Sequence, residues 1–442
     1  MTHQIVVIGG GFGGLWATRA LASADVQITL VDRANHHLFQ PLLYQVATAG
    51  LSAPDIAAPL RHILRDQANV CVLMAEVSGI DLAARRVSFS DGAGLPYDQL
   101  LVASGARHAY FGHAEWAVHA PGLKTLDDAL RIRRRLLLAF ERAEAATDPA
   151  EQQAWLHFAV VGGGPTGVEL AGTLAEIARH TMRQEFRRID PRLAQVRLIE
   201  AGPAVLGNFP PKLQQRTLQQ LQRLGVQVLF GQPVAQISAA GYQLGSQFVP
   251  CRTVLWAAGV AASPLGALLG TALDRAGRVK INPDLSLPGH PEVFVAGDLA
   301  ALNQADGSPV PGVAPAAKQM GRHVAAAMRA RMAGRNTSVF VYRDFGNLAT
   351  IGRMAAVVDL RGLQFSGLLA WWFWLAAHVF FLIGFRNRIS VLVNWGWSYF
   401  TYQRSARIVI GAGTEANPSP LSATDPALPV RQRAAPLEGS ER

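Results

Sequence analysis

Two glycine clusters with the same spacing lie about 150 residues apart. In VVIGGGFGGL, Gly9, Gly11 and Gly14 stand at G-x-G-x-x-G spacing, and in AVVGGGPTGVEL, Gly162, Gly164 and Gly167 repeat it. Each cluster follows a short apolar run that reads as a strand and precedes a helical pattern. In such a motif the first glycine permits a tight turn, the second lets backbone approach a pyrophosphate, and the third lets helix pack on strand. The helix N-terminus then offers unpaired N–H groups and the positive end of its dipole to the phosphates. An acid follows each cluster at the end of the next strand, Asp32 after VQITLVD and Glu200 after VRLIE. A carboxylate there accepts from an adenosine ribose, and Glu200, followed by Ala201, Gly202 and Pro203 with no arginine, repels a 2′-phosphate. Strand, glycines, helix and acid agree twice, so the chain is expected to hold two dinucleotides and pass electrons between them.

The elements that must position these groups follow in order. PEVFVAGDLA (Pro291 to Ala300) reads as a strand ending at Gly297 and Asp298, where an aspartate meets the ribityl chain of a flavin if that strand returns to the first fingerprint. LLVASGA, with Ser104 and Gly105, and TVLWAAGV, with Ala258 and Gly259, fit strand-to-crossover turns that close the two nucleotide units. Leu126 to Ala146 reads as a helix with Thr125 and Asp128 in capping-box positions. The expected fold is α/β, with two Rossmann-type units for FAD and NAD and a C-terminal apolar, membrane-associating helical region. The expected division is 1–122 for the first part of the FAD unit, 123–150 for a linking helix, 151–275 for the NADH unit, 276–345 for the second FAD part, 346–410 for the membrane-associating region and 411–442 for a disordered tail.

Composition sets limits. Of 442 residues half are hydrophobic and 16% charged, so core formation is not limiting. The formal charge is +10, yet no nucleic-acid motif appears and no nucleic-acid partner is expected. The first strand starts at Ile5, so no signal peptide is expected and the nucleotide units belong in the cytoplasm. Cys71 and Cys251 are the two cysteines and form no C-x-x-C, which excludes a dithiol relay. Both are read as small apolar filling. The twelve histidines show no metal spacing, and His36, His37 and His378 are read as structural.

From Gly362 to Phe385 there are 24 residues without a charge, and five of the nine tryptophans fall between Trp371 and Trp397. One helix over this run would be about 36 Å long, against about 30 Å of bilayer hydrocarbon. Tryptophan, Arg361, Arg386, Arg388, Arg404 and Arg407 at its edges suit a lipid interface. A spanning helix near 364–385, a helix lying in one leaflet, a dimer interface and a core helix compete, and the core helix fits poorly because both nucleotide units are already complete without it. Ile389 to Tyr402 fits both helical and strand periodicity and is read as a second amphipathic helix.

On these residues the chain resembles the two-dinucleotide-domain flavoproteins of the glutathione-reductase type, over residues 1–345. The segment HHLFQPLLYQVATAGLS (His36 to Ser52) is similar to a signature of type II NADH:quinone oxidoreductases. That resemblance implies non-covalent FAD, NADH as substrate, hydride transfer to flavin N5 and delivery of two electrons to a membrane quinone without proton pumping. It favours a monotopic enzyme on the cytoplasmic face of the cell membrane, and a homodimer through the C-terminal region is compatible with it. The implied cofactor-binding residues are Gly9, Gly11, Phe12, Gly13, Gly14, Asp32, Arg33, Val77, Ser104, Gly105, Gly297, Asp298, Ala316 and Ala317, with Gly162, Gly164, Pro165, Thr166, Gly167, Glu200, Ala258 and Gly259. Glu169 matches a glutamate that the family places near the nicotinamide–flavin contact, a candidate for proton transfer. Pro311 to Met328 reads as a helix with Pro315 in its first turn, pointing its N-terminus at the flavin, with Lys318 in the first turn either adding charge there or facing solvent, and Gln319 as a further candidate catalytic residue. Pro315 stands where many members carry glutamine, so quinone carbonyls are expected to meet the N–H groups of Ala316 and Ala317 instead. Two other functions compete: a reductase for a soluble iron–sulfur protein such as ferredoxin, and a slow redox-sensing flavoprotein.

Overall fold

The computed structural model describes residues 2–409 apart from 361, 402, 403 and 405. Arg361, Tyr402 and the expected disordered tail therefore lie outside the described residues.

The first parallel sheet is laid down from both ends of the sequence. Strand His3–Ile8 pairs with Val26–Asp32 on one side and Gln99–Val102 on the other. His290–Val295 then joins Gln99–Val102 in parallel, some 190 residues later in the chain. The chain thus leaves His3–Ile8 in both directions, and the crevice at such a switch point is where a ligand binds in open α/β sheets. Gly9, Ser104 and Gly297 all emerge at that edge. The second sheet repeats the plan with four parallel strands in the order Val226–Phe230, Gln195–Glu200, His157–Val161 and Thr253–Trp256. Strands His157–Val161 and Thr253–Trp256 are buried along their whole length, which is why they read as apolar runs rather than alternating ones.

Helix Leu126–Ala145 crosses between the sheets. Its capping box forms: the Asp128 N–H donates to Thr125 Oγ1 at 3.1 Å and the Thr125 N–H donates to Asp128 Oδ2 at 2.9 Å. Two helix contacts depend on missing side chains. Gly321, in helix Ala314–Met332, lies so close to the Gly13 carbonyl of helix Phe12–Ala20 that a Cβ would overlap it. Gly172, in helix Pro165–Glu176, approaches the Ile351 carbonyl in the same way.

The C-terminal region departs from expectation. The uncharged run is not one helix. It opens as strand Leu363–Gly367, third in an antiparallel meander with Asn347–Gly352 and Ala355–Leu360. Helix Leu368–Phe381 follows, then a break, then helix Phe385–Thr401, which resolves the ambiguous segment as helical. Fourteen residues make about 21 Å of helix, short of the bilayer core. Among the described residues no helix is long and apolar enough to cross a membrane, so the spanning reading near 364–385 is corrected. Gly384 at φ +92° makes the break, and the Arg388 guanidinium stabilises it by donating to the Phe380 and Leu382 carbonyls at 2.9 Å each. Those are the carbonyls a helix C-terminus leaves without partners.

Several arginines read as lipid-facing turn inward. Arg404 lies 3.6 Å from Glu176 and donates to the Thr48 carbonyl at 3.2 Å, and Arg407 pairs with Glu185. Trp374 and Val391 are buried in the main core, whereas Leu369, Phe380 and Phe400 are 75%, 70% and 82% exposed. The helices therefore carry one face that docks on the protein and one that meets the surroundings. Cys71 also corrects its reading: it is exposed on strand Val70–Met74, and only Cys251 is buried.

Candidate functional site

The two glycine loops have matching geometry. Gly9 and Gly162 take φ of +103° and +109°, conformations that side chains disfavour. A Cβ on Gly14 would overlap the Gly9 carbonyl oxygen, and one on Gly167 the Gly162 carbonyl oxygen. Gly11 and Gly164 have open space where a Cβ would point. In each loop, then, the first glycine turns the chain, the third admits the helix, and the middle one leaves room of the kind a pyrophosphate needs.

The acids brace these loops. Asp32 Oδ2 accepts from the Gly10 N–H at 2.6 Å and Oδ1 from the Ala34 N–H at 2.7 Å. Glu200 Oε2 accepts from the Gly163 N–H at 2.5 Å and Oε1 from the Gly202 N–H at 2.7 Å. Each carboxylate oxygen keeps lone pairs for a ribose hydroxyl.

The carbonyls of the same glycines are held by different means. In the second loop the Gly163 carbonyl accepts from the Leu206 backbone N–H at 2.8 Å. In the first, the Gly10 carbonyl lies 2.9 Å from His37 Nδ1. A carbonyl only accepts, so Nδ1 carries the proton and Nε2 is the bare nitrogen. His37 is 2% exposed, edge-on to Phe12 at 5.0 Å, and burial holds its imidazole down to about 4, so the ring is neutral at pH 7.

The other flavin candidates gather at the same edge. Ser104 Oγ is buried without a hydrogen-bond partner, beside Gly9. Gly105 and Gly297 have φ of +70° and +75°. Asp298 is half-buried, with Lys124 Nζ 4.0 Å from its carboxylate. Val77 is buried just beyond the end of the strand beside Asp32, while Arg33 is exposed. Phe12 and Gly13 open the first fingerprint helix, and Pro165 and Thr166 the second. Gly259 packs so closely on the Phe111 ring that a Cβ would have 2.5 Å to its Cζ, and Ala258 lines the same crossover beside Gly162. An orphaned hydroxyl, two open cradles and braced acids fit two dinucleotides.

Helix Ala314–Met332 brings corrections. Pro315 sits in its first turn as expected. Ala316 is the third residue, whose N–H has no acceptor inside a helix. Ala317, however, donates its N–H to the Val313 carbonyl at 3.1 Å and is not available to a quinone. Gln319 is likewise engaged at both ends: Nε2 donates to the Arg343 carbonyl and Oε1 accepts from the Arg343 N–H, each at 2.9 Å. It holds the extended segment around 343 against the helix, as a ladder partner would. Lys318 neither lies in the first turn nor faces solvent. Its ammonium sits 4.4 Å over the Trp16 ring and 4.7 Å over Phe381, and burial among these groups lowers it to about 8.

Glu169 lies in the second fingerprint helix and is partly buried. Burial holds its carboxyl well above the usual carboxylate range, against a backbone hydrogen bond from Thr350. Close by, a cleft of about 110 Å³ is lined by Tyr44, Gln45, Glu176, Thr350, Trp371, Trp374, Trp395 and Arg404, among others. The Trp395 indole N–H donates to Gln45 Oε1 at 2.6 Å, and Gln45 Nε2 donates to Tyr44 Oη at 2.9 Å. Asp55 ties the same helix down through Ser390 Oγ at 2.5 Å. The residues were missed individually by sequence reasoning, although Tyr44 and Gln45 lie inside the quoted His36–Ser52 signature. Their junction with Trp374 and Trp395 spans more than 300 residues and has no local signal.

Known proteins share this architecture. The pyridine nucleotide-disulphide oxidoreductase family model matches residues 3–321, and the NDH2 C-terminal domain model matches residues 345–402. Two proteins of Mycobacterium tuberculosis, each described as a type II NADH:quinone oxidoreductase, are 46% and 44% identical to the chain. The first alignment covers 91% of this chain and 89% of the relative, the second 98% and 97%. A solved structure of NDH2 from Plasmodium falciparum in complex with NADH superposes with a TM-score of 0.85 at 19% identity, covering 93% of this chain and 100% of that one; it supports the fold.

Proposed function

The chain belongs to the type II NADH:quinone oxidoreductase family, and on that footing we propose that its first glycine loop holds FAD, its second holds NADH, and the tryptophan-lined cleft admits the head of a membrane quinone. It is an FAD-dependent enzyme that uses NADH, and the reaction carries no proton pumping. The observation that carries the site assignment is the pair of braced loops, each with an open middle glycine at the carboxyl edge of its own sheet. The competing readings as a ferredoxin-type reductase or a slow redox sensor lose to 46% identity across 91% of the chain.

The flavin, when bound, supplies an acceptor for hydride and a donor of electrons to quinone. The protein's own work is placement. Glu200 and the open Gly164 set the pyridine nucleotide, and the negative Glu200 favours NADH over its phosphorylated form. Helix Ala314–Met332 turns its positive end toward the Gly297 edge, where it stabilises negative charge on a flavin ring. Glu169, whose carboxyl burial raises well above the usual carboxylate range, is placed to carry a proton near the cleft for a reduced quinone. The exposed apolar face of helices Leu368–Phe381 and Phe385–Thr401 rests in one leaflet, from which quinone enters.

The test is anaerobic. The detergent-purified holoenzyme is reduced with NADH, then mixed with an isoprenoid quinone. Rapid bleaching followed by rapid return of the flavin band supports the assignment. Return only with ferredoxin, or sluggish bleaching, refutes it. In E169Q the bleaching step should persist, while the decline of reoxidation at high pH disappears; a retained decline removes Glu169 from the proton route.

A further inference from the structure

Hydrogen-bond direction in the cleft is fixed by one group. The indole N–H of Trp395 can only donate, so the atom facing it on Gln45, at 2.6 Å, must be the amide oxygen. The amide nitrogen is then the end that meets Tyr44 Oη at 2.9 Å, and it too can only donate. Tyr44 is therefore the acceptor in that bond, and its own hydroxyl hydrogen is directed elsewhere. Tyr44 is 5% exposed and borders the cleft, and burial, with Glu169 acting next, raises its phenol well above the ordinary range, so it stays protonated.

From this geometry we infer that Tyr44 is a catalytic hydrogen-bond donor to the reducible carbonyl of the quinone, with Gln45 and Trp395 as positioning residues. The inference rests on the quinone reading of the cleft given above. Trp395 belongs to helix Phe385–Thr401, which offers an apolar face to the surroundings, whereas Tyr44 belongs to helix Leu43–Ala47 inside the nucleotide-binding core. The chain of donors thus makes the docking of the outer helix a condition for the correct hydroxyl direction. Were Trp395 displaced, the Gln45 amide could flip and Tyr44 could spend its hydrogen on Gln45 instead.

Anaerobic stopped-flow on detergent-purified holoenzyme separates the steps. Y44F should bleach with NADH at the wild-type rate and return with ferricyanide, an electron acceptor that needs no donor, at the wild-type rate. Its reoxidation by a short-tailed benzoquinone should slow by about tenfold to a hundredfold, the usual effect of deleting one aimed donor. W395F should slow the same step by less, and the Y44F/W395F pair should be no slower than Y44F alone, because Trp395 acts through Tyr44. Additive effects would remove Trp395 from the positioning role. A Y44F enzyme that quinone reoxidises normally overturns the inference, as does one slowed equally with ferricyanide, which would mark structural damage. A wild-type enzyme that quinone does not reoxidise overturns the quinone reading and this inference together.

Discussion

His37→Leu should loosen FAD and leave NADH binding alone. The Gly10 peptide is held at its N–H by Asp32 at 2.6 Å and at its carbonyl by His37 at 2.9 Å. Leucine keeps apolar contact with Phe12 and Trp16 but removes the donor, leaving a buried carbonyl unpaired. That costs about 1–3 kcal/mol. Because the Gly9–Gly11 turn must hold this shape to accept the pyrophosphate, the cost is expected in the cofactor affinity, a weakening of about five- to a hundredfold. The second loop is an internal control, since its Gly163 carbonyl is held by the Leu206 backbone and the substitution does not touch it. The assay is FAD retention through dialysis, followed by the rise of free-flavin fluorescence, with NADH titrated in parallel. His37→Asn, which can restore an N–H donor, should recover part of the loss. Wild-type flavin retention in His37→Leu would refute the clamp, and equal weakening of NADH would show general damage instead.

Other consequences can be measured. Gly167→Ala places a Cβ on the Gly162 carbonyl oxygen, so NADH bleaching should fall at least about tenfold while bound flavin stays near stoichiometric; an unaffected NADH titration would contradict the packing. His37 and His157, 2% and 4% exposed, both titrate near 4 against 6.5 in the unfolded chain. The unfolded state therefore binds the extra protons, and stability is full above pH 6.5 and falls toward pH 4, by up to about 3 kcal/mol per histidine. A melting temperature flat across that window would count against it. Arg404→Met removes the guanidinium beside Glu176, whose burial already raises its carboxyl and which keeps the Arg353 N–H, and should loosen the segment that follows helix Phe385–Thr401 by about 3 kcal/mol. Faster proteolytic cleavage near 400 is the expected readout, and unchanged cleavage would place the anchoring elsewhere.

Local chemistry carried a large share of this protein. Glycine spacing and the helix caps are decided by backbone sterics within about ten residues, and the acids end the next strand of the same βαβ unit. The twin loops, Asp32, Glu200 and the box at Thr125 and Asp128 were therefore legible in the sequence. Hydropathy also located an apolar C-terminal region, because burial from water needs only composition. It could not decide the shape of that region. A strand at Leu363–Gly367, a break at Gly384 and an arginine turned back onto helix carbonyls each depend on neighbours far along the chain. The same holds for Gln319, whose amide reads as free until the segment around Arg343 lies beside it, and for Lys318, whose partners Trp16 and Phe381 come from opposite ends of the sequence. Hydrogen-bond direction at Tyr44 is the extreme case. It is fixed by an indole 351 positions away, through contacts of 2.6 and 2.9 Å that only the assembled core brings within reach.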